Sequence, residues 1–533
     1  MVGAISTCRE VDIATILDLM NLTSEGISPV IALNREEAGP LHRQIYEGFR
    51  AAILRGDLRA GQRVPSSRNL ASELGVSRIP VLNGYAQLLA EGYFESRSGS
   101  GTFVSASLPD QMSLCERPVT RPASIDSGPR PVARRDALLP GRGRVPWLDG
   151  WGAFGLHQPA FEHFPFRIWS SLVTRHLRSP RISSLRTVDP LGSERFRIAV
   201  CTYLRTARAV RCEPDQVMIV AGSQQALDIS ARALLDPGSA VWVEEPGYRL
   251  GRAVFVGAGC RLIAVPVDRD GLDVAAGMRK CRKPRAAYVT PSHQYPLGAT
   301  MTASRRLQLL NWAQTSGAWI IEDDYDSEYR YESMPVASLQ GLDHSGRVIY
   351  IGTFSKVMFP SLRLGFVVIP PDLVEHFVAV RYSMDIFPPY LTQEAVTDFM
   401  CEGHFARHVR RMRCLYSERR TTLVESIHQE FGSMIEVHGA EAGMHLTVTL
   451  PQGFSDQEIA ATAARRGLWL WPLSPAYLES PSRQGFILGF GSTASTQIPA
   501  AVRHLRSILS SGRRESRCPD AQPARRSWPH GCS

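Results

Sequence analysis

About forty residues in the first third of the chain decide its architecture. From Ser107 to Pro146 the sequence sets Pro109, Pro118, Pro122, Pro129, Pro131 and Pro140 among arginine, serine and glycine, with few large apolar side chains. Proline fixes φ and donates no backbone hydrogen bond, so this stretch can continue neither a helix interior nor a central strand. Its composition predicts an extended, poorly ordered, basic tether. The 533 residues therefore divide into a small module and a large one, each long enough for its own core. The expected divisions are an extension at 1–36, a small module at 37–106, the linker at 107–146, a large domain at 147–510 and a tail at 511–533. In the extension, residues 13–20 have the pattern of one short helix. In the tail, Arg513, Arg514, Arg517, Arg525 and Arg526 stand among Pro and Ser and predict disorder.

Composition excludes several classes. The chain is 44% hydrophobic and 21% charged, which is ordinary for a globular protein, and its formal charge of +9 permits an acidic partner without choosing between nucleic acid and an acidic ligand. The ten cysteines are scattered, with no Cys-x-x-Cys pair and no Cys/His group at zinc spacing, so reduced thiols are expected. The N-terminus has no basic, apolar leader and no later apolar run is long enough to cross a bilayer. A soluble cytoplasmic protein without membrane contact is the expectation.

In the small module Leu41, Ile45, Phe49, Ile53 and Leu54 recur at helical spacing, and Gly56 ends that helix. Ser66 and Ser67 are N-caps for a second helix from Arg68 to Leu74, Gly75 breaks it, and Ser77 can cap a third that runs to about Ala90. Three short helices with a glycine turn between the last two make a helix-turn-helix. After Gly92, Tyr93–Val104 forms two strand-like runs around a Gly/Ser turn, as a β-hairpin wing requires.

Leu41-x-x-Gln44-Ile45-Tyr46, Pro65-Ser66-Ser67-Arg68-x-Leu70-Ala71, Leu74-Gly75-Val76-Ser77-Arg78 and Gly99-Ser100-Gly101-Thr102-Phe103-Val104 together resemble the winged helix-turn-helix of the GntR family, and the match spans nearly the whole module. The resemblance implies that Arg68 and Arg78 contact double-stranded DNA, that Ser66, Ser67 and Ser77 offer hydroxyls or backbone N–H groups to phosphates, and that Gly99 or Gly101 lets the wing approach closely. The plainer reading is a helix cap for each serine and a solvated charge for each arginine. Pro80 departs from the family: it stands where a threonine usually serves a phosphate, so the helix survives in its first turn but one contact is lost.

Beyond Trp147 the β-branched runs 217–220, 240–243, 286–289, 319–321, 348–351 and 364–368 alternate with helical stretches. That alternation predicts a mostly parallel sheet covered by helices, a three-layer α/β domain. Lys356, in Gly352-Thr353-Phe354-Ser355-Lys356, follows one of these strands. A lysine is ordinarily a solvated charge and becomes a nucleophile only in an electropositive, partly dry pocket. Its companions are the carboxylate-rich run Glu322-Asp323-Asp324-Tyr325-Asp326 after another strand, Ser223 and Gln224 between a strand and a helix where free N–H groups attract phosphate, and Arg363, whose guanidinium can take two phosphate oxygens. No histidine pair joins the acidic run in the sequence, and although His404 and His408 stand four apart, a spacing that can bind metal, the stretch Gly403-His404-Phe405-x-x-His408 resembles a signature of MocR regulators that has no metal role, so no metal is expected.

The acidic run, together with Gly403-His404-Phe405-x-x-His408-Val409-Arg410-Arg411, is similar to the fingerprint of MocR regulators, in which a GntR module is fused to a fold-type I aminotransferase-like domain made of a large α/β/α part and a small C-terminal α/β part. This implies pyridoxal 5'-phosphate held as a Schiff base on Lys356, with Asp323 on the pyridine nitrogen, Tyr325 on the ring phenolate, Tyr248 stacked on the ring, and Ser223, Gln224, Thr353, Ser355 and Arg363 around the phosphate. His293 or Tyr295, in the loop Thr290–Gly298, could touch the ring oxygen, and the sequence leaves the choice open. The resemblance implies a transcription factor that senses an amine, an amino acid or pyridoxal phosphate itself, as a head-to-tail homodimer on an operator with repeats. The rival is a working aminotransferase with a DNA-binding appendage. Turnover needs a cation for the substrate carboxylate; Arg483 is the only arginine between 470 and 490, and Arg249 or Arg252 are the substitutes.

Overall fold

The computed structural model describes residues 39–106, 152–179, 188–331 and 337–515, with 33, 133 and 186 as isolated residues, and leaves the side chains of 511–515 aside. The extension and its short helix, the linker and most of the tail lie outside the described residues. The chain divides into two compact units between Pro131 and Val132.

In the first unit, α1 (Leu41–Leu54) buries Ile45, Phe49, Ala52 and Ile53, the face its spacing marks out. Helix α2 (Ser67–Glu73) starts one residue before the expected position, because Ser66 is the N-cap and accepts from Asn69 N. Helix α3 (Arg78–Ala90) has Ser77 at its N-cap, but the serine side chain makes no capping bond. Strands β1 (Phe94–Arg97) and β2 (Gly101–Val104) pair antiparallel from Phe94↔Val104 to Arg97↔Gly101, which is the wing. Phe49, Tyr85 and Phe94 meet edge to face with centroids 5.2–5.4 Å apart, each contact adding about 0.5–1.5 kcal/mol beyond area burial.

The second unit is built on a sheet whose strands are β3 (Val217–Val220), β4 (Ala240–Glu245), β5 (Arg261–Asp268), β6 (Gly271–Leu272), β7 (Ala286–Val289), β8 (Trp319–Asp324), β9 (Val348–Thr353) and β10 (Gly365–Val368), in spatial order 3-10-9-8-7-4-5-6. Strands β4, β5, β7, β8 and β9 run parallel, and β10 runs antiparallel between β9 and β3. Burial on both faces explains why these strands read as continuous apolar runs. Two strands of this sheet were not expected: the short β6 and β5, which carries Pro266 and exposed positions. A second, antiparallel sheet of β11 (Glu436–His438), β12 (His445–Thr449), β13 (Trp471–Pro472) and β14 (Gly485–Gly489) lies in order 11-12-14-13. It shares a core with the helices His404–Phe431 and Ile498–Glu515. The last helix corrects the expected start of the tail at 511. The stripe Ile498, Val502, Leu505, Ile508 and Leu509 is buried, and a helix anchored on such a stripe runs on past its last apolar residue until something breaks it.

Among the described residues no helix is long and apolar enough to cross a membrane.

Candidate functional site

The parallel strands deliver their C-terminal ends to one edge of the large sheet, where open α/β sheets place ligands. Ser223 follows β3, Tyr248 follows β4, Thr290 follows β7, Asp323 and Tyr325 stand at the end of β8, and Lys356 follows β9. Arg363 precedes the antiparallel β10 and so reaches the same edge. Together with His157, Gln224, Tyr295, Thr353, Ser355 and Pro360 these residues line one cavity of about 170 Å³.

The acidic run resolves into four separate tasks. Glu322 accepts from Leu339 N and Gln340 N, holding the start of a short helix. Asp324 pairs with buried Arg208 and accepts from Tyr350 Oη at 2.5 Å. Asp326 lies 3.1 Å from His293 Nδ1 and accepts from Met444 N. Only Asp323 lines the cavity: its Oδ2 accepts from Tyr288 Oη at 2.9 Å, and its Oδ1 is buried without a partner among the described residues. Burial pushes the Asp323 carboxyl up to about 7, against the Tyr288 hydrogen bond. Burial also pulls the Lys356 ammonium down to about 8, although Asp326 and Asp323 resist. The cavity thus holds a carboxylate with one oxygen left without a hydrogen bond and, interacting with it, an amine near its reactive form.

At the opposite end of the chemistry, helix Ser223–Leu234 begins at Gly222, whose φ of 101° needs glycine. A Cβ there would lie 3.4 Å from the Arg363 guanidinium, so that group rests against the helix start. Free first-turn N–H groups and this guanidinium form an anion cradle. Thr353 Oγ1 donates to Ser355 Oγ at 3.1 Å beside it. Gln224 also lines the cavity, but its Nε2 donates to Leu250 O.

The aromatic wall is Tyr248 and Tyr295, edge to face at 5.4 Å, with His157 stacked 6.0 Å from Tyr295. Between the two loop residues that the sequence left open, Tyr295 lines the cavity and His293 lies behind Tyr325, whose Oη donates to His293 O at 2.9 Å. The loop is braced from below. Thr290 Oγ1 donates to Glu244 at 2.6 Å, and the fully buried Arg306 donates to the carbonyls of Pro291 and Met301.

The sequence showed no histidine pair beside the acidic run, and the fold corrects this by bringing His445 from β12. His293, Asp326 and His445 place their ligand atoms within 4.8 Å of one another, buried and outside the cavity lining. His404 and His408 do not converge: His408 Nε2 contacts Val357 O while His404 lies beside Glu402 and Arg407. Neither Arg249 nor Arg252 lines the cavity. Arg252 is buried against Glu245 at 3.3 Å, and Glu245 also accepts from Leu478 N and Glu479 N, so this cation is committed to a structural latch.

Residues missed by the sequence reading include Tyr288, His157, Thr290 and Pro360. A lone tyrosine in the small-residue strand Ala286-Ala287-Tyr288-Val289 was the one available signal. His157 carried none, because it arrives from outside the sheet.

In the first unit Arg68 and Arg78 are exposed, and Arg78 Nε donates to Ser67 Oγ at 3.0 Å, linking the first turns of α2 and α3. Ser66 Oγ is occupied by Asn69 at both its donor and acceptor functions. Gly99 and Gly101 have φ of 74° and 109° at the wing, and a Cβ on Gly101 would meet Arg63 Nε at 3.1 Å.

A three-layer sheet domain with its lysine, carboxylate and arginine at the C-terminal strand ends defines the fold-type I aminotransferase-like class, here preceded by a winged helix-turn-helix. The model for "Aminotransferase class I and II" matches residues 181–484 and that for "Bacterial regulatory proteins, gntR family" matches residues 41–104. The chain is 42% identical over 484 residues to the "Probable rhizopine catabolism regulatory protein MocR" of Rhizobium meliloti, covering 90% of this chain and 96% of that one. It is 31% identical over 467 residues to the "HTH-type pyridoxine biosynthesis transcriptional regulator PdxR" of Corynebacterium glutamicum, covering 87% and 94%. The chain belongs to the MocR family of transcriptional regulators. Among solved structures, the α-aminoadipate aminotransferase LysN of Thermus thermophilus superposes with a TM-score of 0.66 at 27% identity, covering 71% of this chain and 97% of its own.

Proposed function

We propose that this regulator binds double-stranded DNA through its first unit and holds pyridoxal 5'-phosphate on Lys356 in its second, where it senses an amino compound or the cofactor itself. The observation that carries this is the unpartnered, buried Oδ1 of Asp323 in a cavity that also holds Lys356 and Arg363. A buried carboxylate oxygen without a hydrogen bond is costly unless a ligand donor completes it, and a protonated pyridine nitrogen has that chemistry. LysN, which shares the fold, was crystallised as a complex with N-(5'-phosphopyridoxyl)-L-leucine, and this supports the same reading.

In the bound state pyridoxal phosphate supplies an electrophilic carbon at which one amine can replace another. The remaining roles belong to the chain. Asp323, oriented by Tyr288, would hold a proton at the ring nitrogen. Arg363, Thr353, Ser355 and the N–H groups after Gly222 hold the phosphate. Tyr248 would cover the ring face, and Tyr325, whose hydroxyl donates to His293 O here, would have to turn that proton from the carbonyl to serve the ring oxygen. Lys356, pulled toward neutrality by burial, would supply the amine that holds the cofactor.

Sensing is favoured over full turnover by the distribution of cations. Among the described residues lining the cavity Arg363 is the only arginine, and Arg252 is tied to Glu245. With the phosphate on Arg363, no second guanidinium stands ready for a substrate carboxylate. A head-to-tail homodimer of the second units, each carrying a DNA module on a basic tether, would reach an operator with repeats.

The test is the visible spectrum of the purified full-length chain. An absorption band that borohydride removes, and that Lys356→Ala lacks, is expected. A colourless protein, or a band unchanged by Lys356→Ala, overturns the cofactor assignment. Steady keto-acid release without specific DNA binding overturns the regulator.

A further inference from the structure

The outward face of α3 is chemically unusual for a helix meant to meet DNA. From Ser77 to Ala90 the only charged residue is Arg78. Val81, Gly84, Tyr85 and Leu88 are buried against the first unit's core. On the other side Ile79 is 68% exposed and Leu82 is 44% exposed. At 3.6 residues per turn, Arg78, Leu82, Ala86, Ile79 and Asn83 share one arc of about 140°. The helix is therefore apolar on both faces, and its solvent face holds Ile79, Leu82 and, in its last turn, Leu89, with the amides of Asn83 and Gln87 and one guanidinium.

Single exposed apolar residues need no explanation, but Ile79 and Leu82 lie together in the first turn and a half, the part of a recognition helix that reaches base edges. The cationic flank is in place: Arg68 on α2 is exposed, and Arg78 is fixed to Ser67 by a 3.0 Å hydrogen bond. Phosphate attraction can seat the helix in the major groove while leaving base reading to the apolar arc. Pro80 adds to this, because it has no N–H to offer and its ring extends the apolar surface of the first turn. In the major groove the one apolar mark on a base edge is the thymine methyl, and the amide of asparagine matches the edge of adenine.

We infer that Ile79 and Leu82 read thymine methyl groups in the major groove, with Asn83 placed to read adenine, so that the sequence recognised by each module is centred on A·T pairs. This rests on the DNA-binding reading above and adds to it the chemistry of specificity.

The experiment selects duplexes from a random pool with the full-length protein, then remakes the selected duplex with deoxyuridine for thymidine, one position at a time. Uracil pairs identically and lacks only the methyl. Burial of one methyl corresponds to about a fourfold change in affinity. The expected result is a loss of that size at two clustered positions in each half-site, and its disappearance in the Ile79→Ala/Leu82→Ala variant, which still binds DNA. Both side chains are exposed, so the variant keeps its fold, and circular dichroism checks this. Equal affinity for thymine and uracil duplexes overturns the inference while leaving DNA binding intact. Uracil sensitivity that persists in the double variant also overturns it. Failure to enrich any duplex overturns the DNA-binding reading and this inference together.

Discussion

The two units keep their functional side chains in opposite states. In the first, Arg68, Arg78, Ile79 and Leu82 stand exposed on short helices, and the bonds around them, such as Arg78 to Ser67, only orient a surface. In the second, Asp323, Lys356, Tyr288 and Tyr325 are enclosed, and each is shifted from its ordinary protonation behaviour by burial. A surface that meets a polyanion needs no preorganised charge, because counterion release supplies the affinity. A pocket that must hold one small molecule needs its dipoles fixed before the ligand arrives. A substitution in the pocket should accordingly cost more than one on the DNA face.

The sharpest way to break that contrast is Asp323→Asn. The amide is isosteric, keeps the contact with Tyr288 and removes the charge for the ring nitrogen. Loss of a buried charge-assisted hydrogen bond costs about 3 kcal/mol, roughly a hundredfold in affinity. Equilibrium dialysis with pyridoxal phosphate should show this, with DNA affinity in the absence of ligand unchanged. If the variant retains the cofactor as tightly as the parent, Asp323 is not the partner of the ring nitrogen and the contrast between the units loses its main support.

A second effect follows from Lys356. Burial lowers its ammonium to about 8, so the amine is mostly protonated below that pH and mostly free above it. Uptake of pyridoxal phosphate by the apo-protein needs the free amine. Its rate should rise about tenfold between roughly pH 7 and pH 9 and then level off. An unburied lysine would keep gaining past about pH 10. Stopped-flow absorbance decides between the two, and a continued climb would show that the amine is not held in a dry pocket before the ligand arrives.

The same contrast explains what the sequence disclosed. The DNA face is contiguous, its helices, glycine turn and wing all falling within residues 41–104, so local spacing was enough to find it. The residues proposed to hold the cofactor were legible where each closes a strand, because the C-terminal end of a parallel strand is itself a position marker: Ser223, Tyr248, Asp323 and Lys356 share that place. The supports were not legible. Tyr288 sits inside a strand, His157 precedes the first helix of the domain, and His445 comes from the small sheet, 152 residues after His293. Only folding brings them together. In the small sheet, Trp471–Pro472 gave no signal of its own because it covers two residues, and alternation cannot emerge over so few positions. The start of the tail differs for another reason: composition counts its arginines but not the apolar stripe that ends at Leu509 and carries the helix through Glu515.

The smallest effect separates two meanings of one hydroxyl. The resemblance to GntR modules assigns Ser66 to a phosphate, yet its oxygen already accepts from Asn69 N at 3.2 Å and its hydroxyl donates to Asn69 Oδ1 at 2.9 Å. As a cap it satisfies one of the four N–H groups that open α2, and losing such a cap costs about 1 kcal/mol. For a unit of this size that corresponds to a melting shift of roughly 4–8 °C. Ser66→Ala should therefore lower the melting temperature of the first unit by that amount, while its affinity for DNA at fixed salt concentration stays where it was. A hydroxyl that also served a phosphate would add to that shift a weaker complex at every sequence. The comparison between the units then becomes specific: on the DNA face even the best-placed hydroxyl serves the fold first, whereas in the pocket the same kind of group, on Thr353 or Ser355, lines the cavity itself.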